Sequence, residues 1–129
     1  MPTIKNFEEL DSWKKARELA GYVYGLTRKE NFSRDFGLRD QIQRAAGSVM
    51  HNIAEGFDAG YDAEFIRFLK MARRSAAEVQ SELYLALDAL YITEDELQKA
   101  YNLATESKKL INGLIAYLAK RKPTSRLED

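Results

Sequence analysis

From about Asp11 onward, apolar residues recur every three to four positions, the spacing that lines one face of an α-helix. Four stretches carry the pattern. The first runs from about Asp11, read as an N-cap, to about Arg28, with Trp13, Ala16, Leu19, Ala20, Val23 and Leu26 in one stripe. Lys14, Lys15, Glu18, Lys29 and Tyr22 fall outside it. The second runs from about Gly37 to Glu55, with Gly56 as the residue that stops it and Leu38, Ile42, Ala45, Val49 and Ile53 as its apolar line. The third starts near Asp62, another N-cap candidate, and extends to about Leu90 through Phe65, Leu69, Ala72, Ala76, Val79, Leu83 and Leu87. The fourth opens on Thr93-Glu94-Asp95-Glu96, a capping box with acidic groups at the positive end of the helix dipole. Leu97, Ala100, Leu103, Ala104, Leu110, Ile111, Leu114 and Leu118 form its stripe.

No stretch alternates with period two, and the links between the stretches are short. Short links make successive helices antiparallel neighbours. The expectation is an all-α, up-down-up-down antiparallel four-helix bundle, one domain over residues 1–129. Residues 1–10 form a lead-in, and residues 122–129, with Pro123, Thr124 and Ser125, form a flexible tail. The expected core holds Trp13, Leu19, Val23, Ile42, Val49, Phe65, Leu69, Val79, Leu83, Leu110 and Leu114.

Composition narrows the function. The 129 residues suit one domain large enough to need no disulfide or metal staple. Cysteine is absent, which excludes thiol catalysis, zinc-thiolate sites and disulfides and fits a cytoplasmic location. No apolar run resembles a signal peptide or a membrane span. Twenty basic residues balance twenty acidic ones, so a strongly basic nucleic-acid binder is not indicated, although local patches remain open.

Three surface features stand out. On the second helix, Gln41, Arg44, Ser48, Asn52 and Glu55 fall within roughly 80° of one another beside the apolar line. They read as a structural polar network, with Asn52 bonded to a neighbouring loop and Glu55 paired with Arg44 or capping the next helix; the sharper alternative is a ligand or partner pocket. On the third helix, Arg67, Lys70 and Arg74 share a band about 60° wide with Arg73 beside it. They form either a solvated face or a surface for phosphates or an acidic partner, which Lys120, Arg121, Lys122 and Arg126 would extend. Ile66, Ala77 and Tyr84 on the third helix, with Tyr22 on the first, lie outside the core stripes. They are read as an oligomer interface, against the plainer reading of scattered surface apolar residues.

Catalysis has little to stand on. The single histidine, His51, forms an i, i+4 pair with Glu55, but the carboxylate and histidine set of a di-iron bundle is missing. There is no nucleophile motif and no phosphate-binding glycine loop. No cofactor, metal or small-molecule substrate is expected.

The run Phe7-Glu8-Glu9-Leu10-Asp11-Ser12-Trp13-Lys14-Lys15-Ala16 resembles the opening signature of a known family. Gly37-Leu38, Gln41-Ile42, Arg44-Ala45-Ala46, Ser48 and Asn52-Ile53-Ala54-Glu55-Gly56 resemble its central signature. Glu64-Phe65, Phe68-Leu69, Ala72, Ser75 and Leu90-Tyr91-Ile92 continue the match, which spans roughly Phe7 to Leu118. The family is the bacterial four-helix-bundle group, also called 23S rRNA intervening-sequence proteins. The accessory protein of diversity-generating retroelements, which binds a reverse transcriptase and nucleic acid, is a distant relative. The resemblance implies a homopentameric ring of bundles without enzymatic activity. The chain departs from it in being neutral and in lacking a proline within Gly47-Ser48-Val49-Met50-His51. The expected function is a homo-oligomeric, pentameric scaffold or adaptor for a macromolecule. The alternative is a nucleic-acid binder acting through the basic face of the third helix, with rRNA or a reverse transcriptase as partner. A metal- or ligand-binding bundle centred on His51 and Glu55 stands third.

Overall fold

A computed structural model describes residues 3–121. A 3-10 turn, Phe7–Glu9, leads into α1 (Asp11–Thr27). A short α2 (Glu30–Arg34) follows, then α3 (Phe36–Asp58), α4 (Asp62–Asp88) and α5 (Glu94–Lys120). The four long helices form an up-down-up-down bundle. α1 packs on α3 and α5, and α4 closes the square by packing on the same two. The expected tail, residues 122–129, lies outside the described residues.

The buried positions alternate by three and four along each long helix. On α4 the buried apolar positions are Phe65, Leu69, Ala72, Ala76, Val79, Leu83 and Ala86, with the polar Gln80 and Glu82 buried beside them. On α1 they include Ser12, Ala16, Leu19, Val23 and Leu26, and on α5 Leu97, Ala100, Ala104, Ser107, Ile111 and Leu118. A mean repeat near three and a half residues keeps one seam facing its neighbours when helices cross at a shallow angle.

This register corrects three core assignments. Trp13 is only half-buried because Ser12 holds the inward position, and its ring leans on Phe7 at 5.2 Å. Leu110 is exposed because Ile111 faces in, and Leu114 is half-buried. The other eight expected core residues are buried.

Several helix ends also move. Leu10 is the N-cap of α1, and Asp11 is its first helical residue. Tyr61 caps α4, and Asp62 is helical. α3 starts at Phe36 under an Asp35 cap, whose carboxylate accepts from the Leu38 N–H at 3.1 Å. It runs past Gly56 to Asp58, and Gly60, with φ 92°, is the glycine that turns the chain. Gly56 instead allows close approach: a Cβ there would lie 2.7 Å from the Phe68 Cβ on α4. The capping box at Thr93 and Glu96 is formed.

The link between the first two long helices is more ordered than expected. It holds α2, whose Phe32 is fully buried and stacks on Tyr91 at 5.2 Å. The Tyr91 hydroxyl donates to Asp35 at 2.9 Å, which ties the α4–α5 turn to the start of α3. At the opposite end, Arg121 clamps Asp62 through two hydrogen bonds of 2.7 and 3.0 Å.

Candidate functional site

Three surfaces follow from this packing. The first is the α3–α4 seam, which carries the expected polar line. Asn52 donates to the Ser48 carbonyl at 2.8 Å and to the Ser48 hydroxyl at 2.9 Å, so it bonds within its own helix and not to a neighbouring loop. Ser75 of α4 reaches the same Ser48 hydroxyl at 3.0 Å and joins the two helices. Gln41, Arg44 and Glu55 are exposed, and the expected Arg44–Glu55 pair is absent among the described residues. Gln41, Arg44 and Ser48 instead line a shallow hollow of about 270 Å³ with Ser75 and Glu78.

One turn beyond Glu78 on α4 sits Glu82, a residue the periodicity did not single out. It is buried, and neither carboxylate oxygen has a hydrogen-bond partner. Burial, with a smaller contribution from the Glu78 charge, pushes its pKa up to about 7.

The second surface is basic and lies between α4 and α5. Lys70, Arg73, Arg74, Ala77, Lys108 and Asn112 line an open hollow of about 410 Å³. Three of the four expected basic residues are here. The fourth, Arg67, is held by Glu64 through bonds of 2.7 and 3.0 Å and does not line it. That pairing lowers the Glu64 pKa and raises that of Arg67. Lys108 and Asn112 come from α5 and were not anticipated, since the register between two helices cannot be read from either one alone.

Two of the four cations of this hollow are positioned by neutral groups. Arg73 donates to the Asn112 side chain at 2.7 Å. Lys108 donates to the Gln80 side-chain oxygen, Oε1, at 2.8 Å. Gln80 is buried, and its amide donates to Thr105 Oγ1 at 2.9 Å and to the Tyr101 carbonyl at 3.3 Å. No carboxylate lines the hollow.

The third surface is apolar. Phe36, Leu85 and Leu90 are 63%, 59% and 86% exposed at one end of the bundle, and Tyr61, 67% exposed, stands at the other. Of the residues expected at an oligomer interface, Tyr84 is half-exposed beside Tyr101, and Ala77 is exposed in the basic hollow. Ile66 and Tyr22 are half-buried against the core, with Lys99 over the Tyr22 ring at 4.8 Å.

His51 and Glu55 are both exposed on α3. Among the described residues, no group of three or more His, Asp or Glu side chains is placed to hold a metal ion. None of the described helices is long and apolar enough to cross a membrane.

The chain is similar to a crystal structure of a protein of unknown function from the S23 ribosomal protein family of Bacteroides thetaiotaomicron. The two share 29% identity and superpose with a TM-score of 0.75, over 81% of this chain and 95% of that one. No curated protein matches the chain. The family model described as 23S rRNA-intervening sequence protein matches residues 8–113, so the chain belongs to that family.

Proposed function

We propose that this chain is a non-enzymatic binding protein that works as an assembly of identical subunits and presents a repeated surface to a macromolecule. The observation that carries the reading is the uncovered apolar set. Leu85 and Leu90, at the end of α4, are joined by Phe36 at the start of α3 and Tyr24 near the end of α1. The antiparallel topology brings these three helix ends to the same end of the bundle. Large apolar side chains left in water mark a contact surface where they gather into one patch. Five subunits in a closed ring is the state that the family resemblance favours, and a ring joins two different faces of each subunit. Sedimentation equilibrium at micromolar concentration tests the reading. The expected mass is that of five chains, and a monomer mass overturns assembly altogether. Leu85→Asp is expected to lower the assembled mass while leaving the helical circular dichroism unchanged.

A second reading, nucleic-acid binding, is favoured by the α4–α5 hollow. Its four cations face no carboxylate, so the neutral net charge of the chain hides a local positive field. The family name links these proteins to 23S rRNA, and RNA is the polyanion this reading takes. A mobility shift with single-stranded RNA at two salt concentrations is expected to weaken at the higher one, because phosphate contacts release counterions. No shift at low salt overturns it.

A further inference from the structure

We infer that the hollow between α4 and α5 is a built site for phosphate groups, held by Lys70, Arg73, Arg74 and Lys108. The inference names the ligand chemistry behind the nucleic-acid reading and rests on that reading only for RNA as the source of the phosphates.

The argument begins with Gln80. A buried amide must find partners, and this one is held on one side by Thr105 and the Tyr101 carbonyl. Its remaining oxygen accepts from the Lys108 ammonium at 2.8 Å. A buried, doubly anchored group therefore fixes the place of a lysine at the rim of the hollow. Asn112, which is exposed, accepts from Arg73 at 2.7 Å. Both partners are neutral, so they orient the cations and leave the charge in place. Arg67, one turn before Lys70 on the same helix, shows the contrast, because Glu64 grips its guanidinium with both oxygens. Lys70 and Arg74 complete the ring of charge, and neither has a carboxylate partner among the described residues.

The shape and lining select the ligand. Four cations supply more donors than one carboxylate can accept from, whereas a phosphoryl group offers several oxygens in different directions. Ala77 is the sole apolar residue of the lining, so the hollow has no pocket for the side chains of an acidic peptide. Its volume of about 410 Å³ exceeds what a single small ion fills and admits a nucleotide or a stretch of nucleic-acid backbone.

The test uses the full chain and two separate probes, a labelled single-stranded RNA and inorganic pyrophosphate. Binding is followed by fluorescence anisotropy for the RNA and by amide chemical-shift changes for pyrophosphate. The double variant Lys70→Ala with Arg74→Ala, and Lys108→Ala alone, are each expected to weaken RNA binding about ten-fold or more, the effect of losing a charge-assisted contact. The dependence of log K on log salt should become shallower by about 0.7 for each phosphate contact removed. Arg67→Ala, outside the hollow, is the control and should bind as the parent does. Pyrophosphate should shift the amides of residues 70–77 and 108–112 in the parent and not in the double variant. Loss of both probes in the variants supports the site and RNA as the source. Loss of pyrophosphate alone, with no RNA bound by the parent, supports the site and overturns the nucleic-acid reading. If the variants keep full RNA affinity and pyrophosphate leaves those amides unmoved, the site is overturned. Pyrophosphate reads each hollow singly, whereas RNA affinity also rises with the number of hollows one strand can reach, so the pyrophosphate arm separates a failure of the site from a failure of assembly.

Discussion

Glu82 carries a carboxyl group that no protein donor meets and solvent does not reach. With its pKa pushed up to about 7, the folded chain keeps a proton there that the unfolded chain sheds near its ordinary value of 4.5. The sign of the consequence follows from linkage. Below 4.5 both states hold the proton, and nothing is lost. Between 4.5 and about 7 the unfolded state ionises first, so stability falls as pH rises, and above that range the full loss is present. At about 1.4 kcal/mol per pKa unit, the loss is roughly 3 kcal/mol. Glu82→Gln removes the titrating group, so the variant is expected to match the parent near pH 4.5 and exceed it at pH 8. Urea denaturation of both proteins across that range checks this, and parallel pH curves would refute it. Glu64 and Glu96 act in the opposite sense, since their pKa values are lowered and their contribution disappears as pH falls. The two windows are separate, and the difference between variant and parent isolates Glu82.

Helix packing explains both what the sequence disclosed and what it withheld. The four long helices were legible because the apolar period runs unbroken through each. Trp13 and Leu110 lie on the apolar stripes of their helices, but the three-four register of the packed bundle selects Ser12 and Ile111 beside them. Serine suits such a place where helices draw close, and the buried Ser107 hydroxyl satisfies itself on the Leu103 carbonyl at 2.8 Å. α2 was missed because five residues are too few to show a period, although Phe32 was a large apolar residue in an otherwise polar link. The basic face of α4 was visible, but its completion by Lys108 depends on how α4 and α5 align. The sequence marks Gly56 as a stop signal, yet its role is steric. A methyl group there would meet the Phe68 Cβ at 2.7 Å, Phe65 Cδ1 at 2.9 Å and the Phe65 carbonyl at 3.3 Å. Gly56→Ala must therefore push α3 from α4, and a loss of about 1–3 kcal/mol is expected from overpacking. Unchanged stability on chemical denaturation would show that the α3–α4 contact yields more easily than this.

The same end of the bundle that gathers uncovered apolar groups also holds the one non-glycine residue with positive φ among those described, Leu90 at 65°. It sits where α4 stops, in a Schellman arrangement. The Tyr91 N–H donates to the Ala86 carbonyl at 2.9 Å, and the Leu90 N–H donates to that of Leu87 at 2.9 Å. Glycine is the usual residue at this place, because a Cβ in the left-handed conformation costs about 1–2 kcal/mol. Leu90 is also 86% exposed, so its side chain gains little from the subunit it belongs to. Strain and exposure together are explained if Leu90 is covered when subunits meet. The two roles predict opposite responses to Leu90→Gly. The isolated subunit should gain about 1 kcal/mol, since the strain is relieved and little packing is lost. Association should weaken, because burying a leucine contributes about 1.5–3 kcal/mol. The stability of an oligomer depends on its concentration, so dilution separates the two effects. At concentrations where the parent is dissociated, the variant should unfold at higher urea. In sedimentation, the variant should need a higher concentration to reach the parent's mass. A variant that is both more stable and equally associated would remove Leu90 from the contact and leave Phe36 and Leu85 to carry it.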